Sequence, residues 1–138
     1  MIKLIVGNKG EGKTKKMVQM ANDSLSEVKG CVIYIDSSTS RMYDVKREIR
    51  FVELPNFAHT DAQALRGFVA GALSQNSDIE KIYIDGLMDM IGESSDDDLT
   101  ALVENLLAIS EESSAEITMI IAREKDLLPE AIQKYIVD

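Results

Sequence analysis

Positive charge, cysteine, histidine and long apolar runs are all scarce in this chain. Across 138 residues, 15 lysines and arginines stand against 24 aspartates and glutamates, for a formal net charge of -9. A surface of that sign repels polyphosphate backbones, which argues against nonspecific nucleic-acid binding. The one cysteine, Cys31, opens an apolar run and reads as a small buried hydrophobe. The one histidine, His59, has no cysteine or histidine at ligand spacing, so no zinc site is expected. No stretch approaches the ~20 apolar residues of a membrane span, so no membrane insertion is expected. An apolar run already begins at residue 2, leaving no room for a signal peptide, and the expectation is a cytoplasmic protein. With 45% hydrophobic residues the chain can build a true core, and its length suits a single domain over residues 1–138.

What is present begins at the N-terminus. Ile2-Lys3-Leu4-Ile5-Val6 reads as a buried strand, and Gly7-Asn8-Lys9-Gly10-Glu11-Gly12-Lys13-Thr14 fits G-x-x-x-x-G-K-[ST] at every fixed position. Glycines there permit backbone torsions that a Cβ forbids, so successive N–H groups can turn inward around a phosphate. From Lys15 to Val28 neither proline nor glycine occurs, and Met17, Met20, Ala21, Leu25 and Val28 keep helical spacing. The N-terminus of that helix points at the loop, where it favours an anion. A second strand of the same kind, Lys81-Ile82-Tyr83-Ile84, ends in Asp85 followed by Gly86. Its acid suits a magnesium site, or else caps a turn.

With both segments in hand, the chain resembles the P-loop NTPases over nearly all its length, 7–14 matching Walker A and 81–85 matching Walker B. The resemblance implies ATP and Mg²⁺ as ligands, with Gly7, Asn8, Lys9, Gly10, Glu11, Gly12, Lys13 and Thr14 around the phosphates. It assigns Lys13 to the β- and γ-phosphate oxygens and Thr14 with Asp85 to the metal.

The rest of the chain alternates strand and helix. Strands are expected at 31–35 and 117–122, an edge strand at 50–54, and a closing strand at 135–137. Helices are expected over about 60–75, where Thr60-Asp61-Ala62-Gln63 looks like a capping box, and behind the acidic run 96–98, with Leu99, Leu102, Val103, Leu106 and Ile109 as its buried stripe. The adjacent aspartates suit the helix dipole, since three consecutive helical residues point in different directions. Short helices are expected after Ser37-Ser38-Thr39-Ser40, with Met42, Val45 and Ile49 on one face, and over 127–134, with Pro129 near its start. This makes an α/β three-layer sandwich with a mainly parallel sheet. Counting 2–6, 31–35, 81–85, 117–122 and 135–137 as strands 1 to 5, the resemblance is greatest to the additional-strand ATPases of the RecA-like and AAA kind, and implies order 5-1-4-3-2. In that family a polar sensor ends the fourth strand, here at Arg123.

The chain departs from that pattern where a glutamate usually follows the Walker B aspartate, because Gly86 and Leu87 follow Asp85. Asp36, at the end of the second strand, is a candidate catalytic base, or else cages magnesium or caps a turn; Glu93 or Glu124 could reach in from loops. Arg41, Lys46, Arg47 and Arg50 form a basic cluster open to three readings: a solvated helix face, a subunit contact or a substrate site. Other branches of the family fit less well. Arg123-Glu124-Lys125-Asp126 lacks the asparagine of a guanine motif, no arginine-rich lid is present, and one cysteine cannot make the zinc site of thymidine kinases. The expectation is a slow Mg-dependent ATPase. The alternatives are a non-hydrolytic nucleotide switch or subunit of a larger assembly, and a small-molecule kinase.

Overall fold

Short runs of Ile, Val and Leu with no polar alternation form strands only where both faces are covered, and that is where the computed structural model puts them. It describes residues 1–8, 10, 12–54, 61–92 and 94–137. Five strands, β1 (Ile2–Val6), β2 (Cys31–Asp36), β3 (Arg50–Glu53), β4 (Ile79–Ile84) and β5 (Glu116–Ile121), form one sheet in the order β1-β5-β4-β2-β3. Every pairing is parallel. The helices are α1 (Lys13–Ser24), α2 (Ala62–Gln75), α3 (Leu87–Ile91), α4 (Asp96–Ser113) and α5 (Glu130–Gln133). None of the helices described is long and apolar enough to cross a membrane.

The period-2 alternation of strand side chains divides the core in two. Ile2, Leu4, Ile33, Ile35, Ile82, Ile84, Ile117 and Met119 face α2 and α4 on one side, where Leu65, Val69, Leu99, Leu102, Val103 and Leu106 meet them. Ile5, Val32, Tyr34, Tyr83 and Ile120 face the other way, against Met17 and Ala21 of α1 and against Val45 and Ile49. Tyr83 therefore shares a face with α1, and Asp85, two residues on, follows it to that side.

Several expectations change in detail. The closing strand 135–137 is reduced to one bridge, Leu4 to Ile136. The N–H groups of Tyr135 and Ile136 are already tied to the carbonyls of Ile132 and Gln133, at 3.2 and 3.1 Å, and cannot extend a ladder. The fifth strand of the sheet is β3, at the opposite edge beside β2, so the order differs in detail from the one expected. Residues 37–49 form successive turns, not a helix. Asn22 on α1 clamps this segment through its side-chain amide, donating to Asp44 O at 3.1 Å and accepting from Lys46 N–H at 2.9 Å. Those are groups that a helix would have used internally.

The first helix ends at Ser24, where Ser24 and Ser26 hydroxyls take the carbonyls of Ala21 and Asp23. It also starts two residues earlier than expected, directly at Lys13. Helix α2 is capped by Asp61, whose carboxylate accepts from Ala64 N–H at 2.8 Å; Thr60 and His59 lie outside the described residues. Ser95 caps α4 and Asp96, Asp97 and Asp98 fill its first turn, as their dipole chemistry favours. Ile109 is only half-buried, and Ser110 takes its place in the buried stripe. Near the C-terminus a 3₁₀ turn, Lys125–Leu127, precedes α5, with Pro129 as its N-cap. Cys31 is half-buried rather than buried, its Sγ 3.6 Å from Asn76 Nδ2.

Two glycines with opposite surroundings test the packing. A Cβ on Gly30 would lie 2.0 Å from the carbonyl oxygen of Asp78, whereas a Cβ on Gly67, inside α2, would meet nothing within 4 Å. Gly30→Ala should lower stability by roughly 1–3 kcal/mol as an overpacked site, and Gly67→Ala should raise it by about 1 kcal/mol through helix propensity. Thermal melts of the two variants should move in opposite directions.

Candidate functional site

The carboxyl ends of β1, β2, β4 and β5 converge on one rim of the sheet, where ligands of open parallel sheets are held. The loop leaving β1 is anchored to the loop leaving β5 twice. Gly7 N–H donates to Arg123 O at 2.9 Å, and Asn8 Nδ2 donates to Glu124 Oε1 at 2.8 Å. The loop then turns through Gly10 (φ 87°) and Gly12 (φ 78°), left-handed torsions that strain any residue with a Cβ. Gly12 is the N-cap of α1 and, having no side chain, makes no cap bond to the first N–H groups of the helix. Lys13 donates from Nζ back to Asn8 O, so its ammonium lies over the loop. Lys9 and Glu11 lie outside the described residues.

Opposite the loop stands Asp85, 8% exposed, one residue beyond β4. Its Oδ2 accepts from Thr14 Oγ1 at 2.9 Å and from the Tyr34 hydroxyl at 3.2 Å, and its Oδ1 from Gly86 N–H at 2.7 Å. Gly86 (φ 69°) is a point of close approach on this rim, since a Cβ there would sit 2.3 Å from Ser37 Oγ. The loops after β2 and β4 are thus in direct contact.

Between these groups lies a cavity of about 460 Å³, with Lys13, Thr14, Arg41, Asp85, Met88 and Asp89 on its walls. Thr14 and Asp85 offer hard oxygen donors side by side, a set suited to a cation such as Mg²⁺ that keeps its remaining positions for waters and phosphates. Lys13 and Arg41 offer positive charge to an anion in the same space.

The other candidate residues are engaged elsewhere. Asp36, 5% exposed, points into its own turn, accepting from Ser37 N–H at 2.7 Å, and does not line the cavity. Burial, with the Asp85 carboxylate beside it, pushes its carboxyl above the ordinary range despite the turn N–H groups. Arg123 pairs with Asp96 at 2.9 Å, in the first turn of α4. Glu93 lies outside the described residues. Of the basic cluster, Arg41 alone lines this cavity.

Sequence reasoning missed three members of the site. Tyr34 sits in an apolar run and reads as core. Asp89 and Met88 belong to the one-turn helix α3, which hydrophobic periodicity over five residues cannot reveal. The signal for Tyr34 was parity: it shares a strand face with α1, as Asp85 does.

The raised pKa of Asp36 has a sign. An acid whose folded pKa lies above its unfolded value is destabilising in its charged form, so its penalty is absent at low pH and appears as pH rises above about 4. Asn keeps an acceptor for the turn and carries no charge. The melting temperature of Asp36→Asn relative to wild type should therefore increase between pH 4 and pH 7; parallel curves would mean that Asp36 is solvated. No protein-family model and no curated protein matches this chain, so its function is argued from the chemistry of this rim.

Proposed function

We propose that the chain is a P-loop nucleotide-binding protein that takes Mg·ATP into the 460 Å³ cavity and hydrolyses it slowly. One observation carries the reading: residues 71 positions apart, each the metal-side member of a recognisable motif, meet as Thr14 Oγ1 and Asp85 Oδ2 at 2.9 Å. A glycine turn alone would not require an acid there, nor would a capped strand end require a threonine. In this reading the loop N–H groups and Lys13 hold the phosphate oxygens, and Thr14 and Asp85 hold the cation. Bound Mg²⁺ neutralises phosphate charge. The strand order supports the reading in part: β1-β5-β4-β2, with the 136 bridge beside β1, runs as in the additional-strand ATPases, and β3 differs by lying at the far edge.

A second reading, a switch that binds ATP without turning it over, has its own support. No acid stands directly after Asp85, Asp36 is bonded to its turn, Glu124 is bonded to Asn8, and Asp89 on the cavity wall accepts from Ser37 Oγ at 3.4 Å. Water left without a base loses the orientation that is worth several kcal/mol of barrier. Transfer to a small acceptor is the third reading, with Arg41 as the acceptor clamp. Phosphate release measured with and without acceptors separates the three.

Lys13→Ala should weaken binding of a fluorescent ATP analogue by at least about tenfold, the worth of a hydrogen bond to a charged group, with an unchanged melt. Asp85→Asn should instead reduce the Mg²⁺ dependence of binding more than the affinity without metal. Equal titrations for wild type and Lys13→Ala would remove the reading altogether.

Turnover, if present, should depend on assembly. Arg41 lies at the cavity wall, and Arg47 is almost fully exposed, at 98%; either could serve a neighbouring copy or partner protein as an arginine finger, which raises rates by about 10³-fold or more. Specific activity should rise with protein concentration and lose that rise in Arg41→Ala or Arg47→Ala. A concentration-independent rate untouched by both substitutions would identify a self-sufficient site.

A further inference from the structure

We propose that Tyr34 is a positioning residue for the metal-binding carboxylate, its phenol holding Oδ2 of Asp85 toward Thr14. The inference rests on the Mg·ATP reading above and concerns a side chain that neither motif contains. Tyr34 is wholly buried. Its ring is stacked on Phe51 at 5.7 Å between centroids and 13° between planes, and on Tyr83 at 6.4 Å and 21°. The three rings run across β3, β2 and β4, so the phenol has no rotamer freedom to spend on another partner. Among the described residues its hydroxyl has one acceptor, Asp85 Oδ2.

The consequence lies in how Asp85 is held. Its Oδ1 is fixed by Gly86 N–H and its Oδ2 by Thr14 and Tyr34. Thr14 is itself a ligand in the proposed site, so its hydroxyl oxygen also serves the ion through a lone pair. Tyr34 is the donor to Oδ2 that has no such duty. A hydrogen bond from a rigid donor fixes the carboxylate torsion and spreads its charge, which is how groups behind a metal ligand tune affinity. A tyrosine that was merely core would stack equally well without its hydroxyl.

Tyr34→Phe keeps the ring and removes the oxygen. A fluorescent ATP analogue is titrated against wild type and variant in EDTA and in saturating Mg²⁺, and then across Mg²⁺ concentrations. Affinity without metal should stay within about twofold, while the apparent Mg²⁺ affinity falls about tenfold, the size of effects seen when a group behind a ligand is removed. In an Asp85→Asn background the same substitution should have no further effect. An unchanged Mg²⁺ affinity, an equal loss with and without metal, or full additivity with Asp85→Asn would each overturn the proposal. If wild type itself shows no Mg²⁺-dependent binding, the Mg·ATP reading fails and this proposal falls with it, an outcome visible before any variant is made. Should Tyr34→Phe not fold, Phe51→Leu, which keeps the hydroxyl but removes a ring stacked on it, takes its place: a selective loss of Mg²⁺ affinity supports the proposal, and none overturns it.

Discussion

A carboxylate at the end of a buried strand needs donors, and the answer this chain gives to Asp85 organises the rim of the sheet. At 8% exposure the charge has little water to rely on, and an unpaired buried carboxylate would cost several kcal/mol. Three donors reach it from three elements: Thr14 from the first turn of α1, Tyr34 from β2, and Gly86 N–H from its own turn. Each requires something further. Thr14 can arrive only if α1 starts directly behind Gly12, Tyr34 only if β2 lies beside β4, and Gly86 only if residue 86 has no Cβ to strike Ser37. Satisfying one acid thus fixes the start of a helix, the neighbour of a strand and a glycine.

The same acid explains the awkward position of Asp36. Parallel pairing brings Ile35 beside Ile84, and Asp85 N–H donates to Ile35 O at 2.8 Å. Two carboxylates therefore end adjacent strands. Asp85 accepts from two hydroxyls and one backbone N–H, and Asp36 relies mainly on backbone N–H groups of its turn. Burial and the neighbouring Asp85 carboxylate raise the pKa of Asp36.

Much of this was legible in the sequence, for reasons that differ by element. Strands β1, β2, β4 and β5 declare themselves because each carries a short run of consecutive apolar residues, buried on both faces, with its charged residues mainly at the strand ends. Helix α4 is announced by its aspartates and its leucine stripe. The resemblance of residues 7–14 and 81–85 to Walker A and Walker B put Lys13, Thr14 and Asp85 forward. What the sequence hid was decided at a distance: residues 37–49 keep a helical pattern at Met42, Val45 and Ile49, yet Asn22 takes their backbone groups from α1. Tyr34 was hidden because a buried phenol and a buried phenylalanine look alike until an acceptor comes within reach.

The energetics of the occupied side chains bear on where a missing base would come from, if the Mg·ATP reading holds. Asp36 is held by a part-buried bond of 2.7 Å to Ser37 N–H, and breaking it costs about 0.5–3 kcal/mol. Arg123, its side chain 22% exposed, pairs with Asp96, which is 68% exposed, and Glu124 accepts a surface hydrogen bond from Asn8. A partly exposed ion pair of that kind contributes about 0–1 kcal/mol. A bound nucleotide could therefore draw the loop after β5 inward at little cost, whereas the turn after β2 would resist. The loop carrying Arg123 and Glu124 is also the one already joined to the glycine loop, through Gly7 and Asn8. Those two bonds couple the glycine loop to the loop after β5, whereas the Asp36 carboxylate is tied to its own turn.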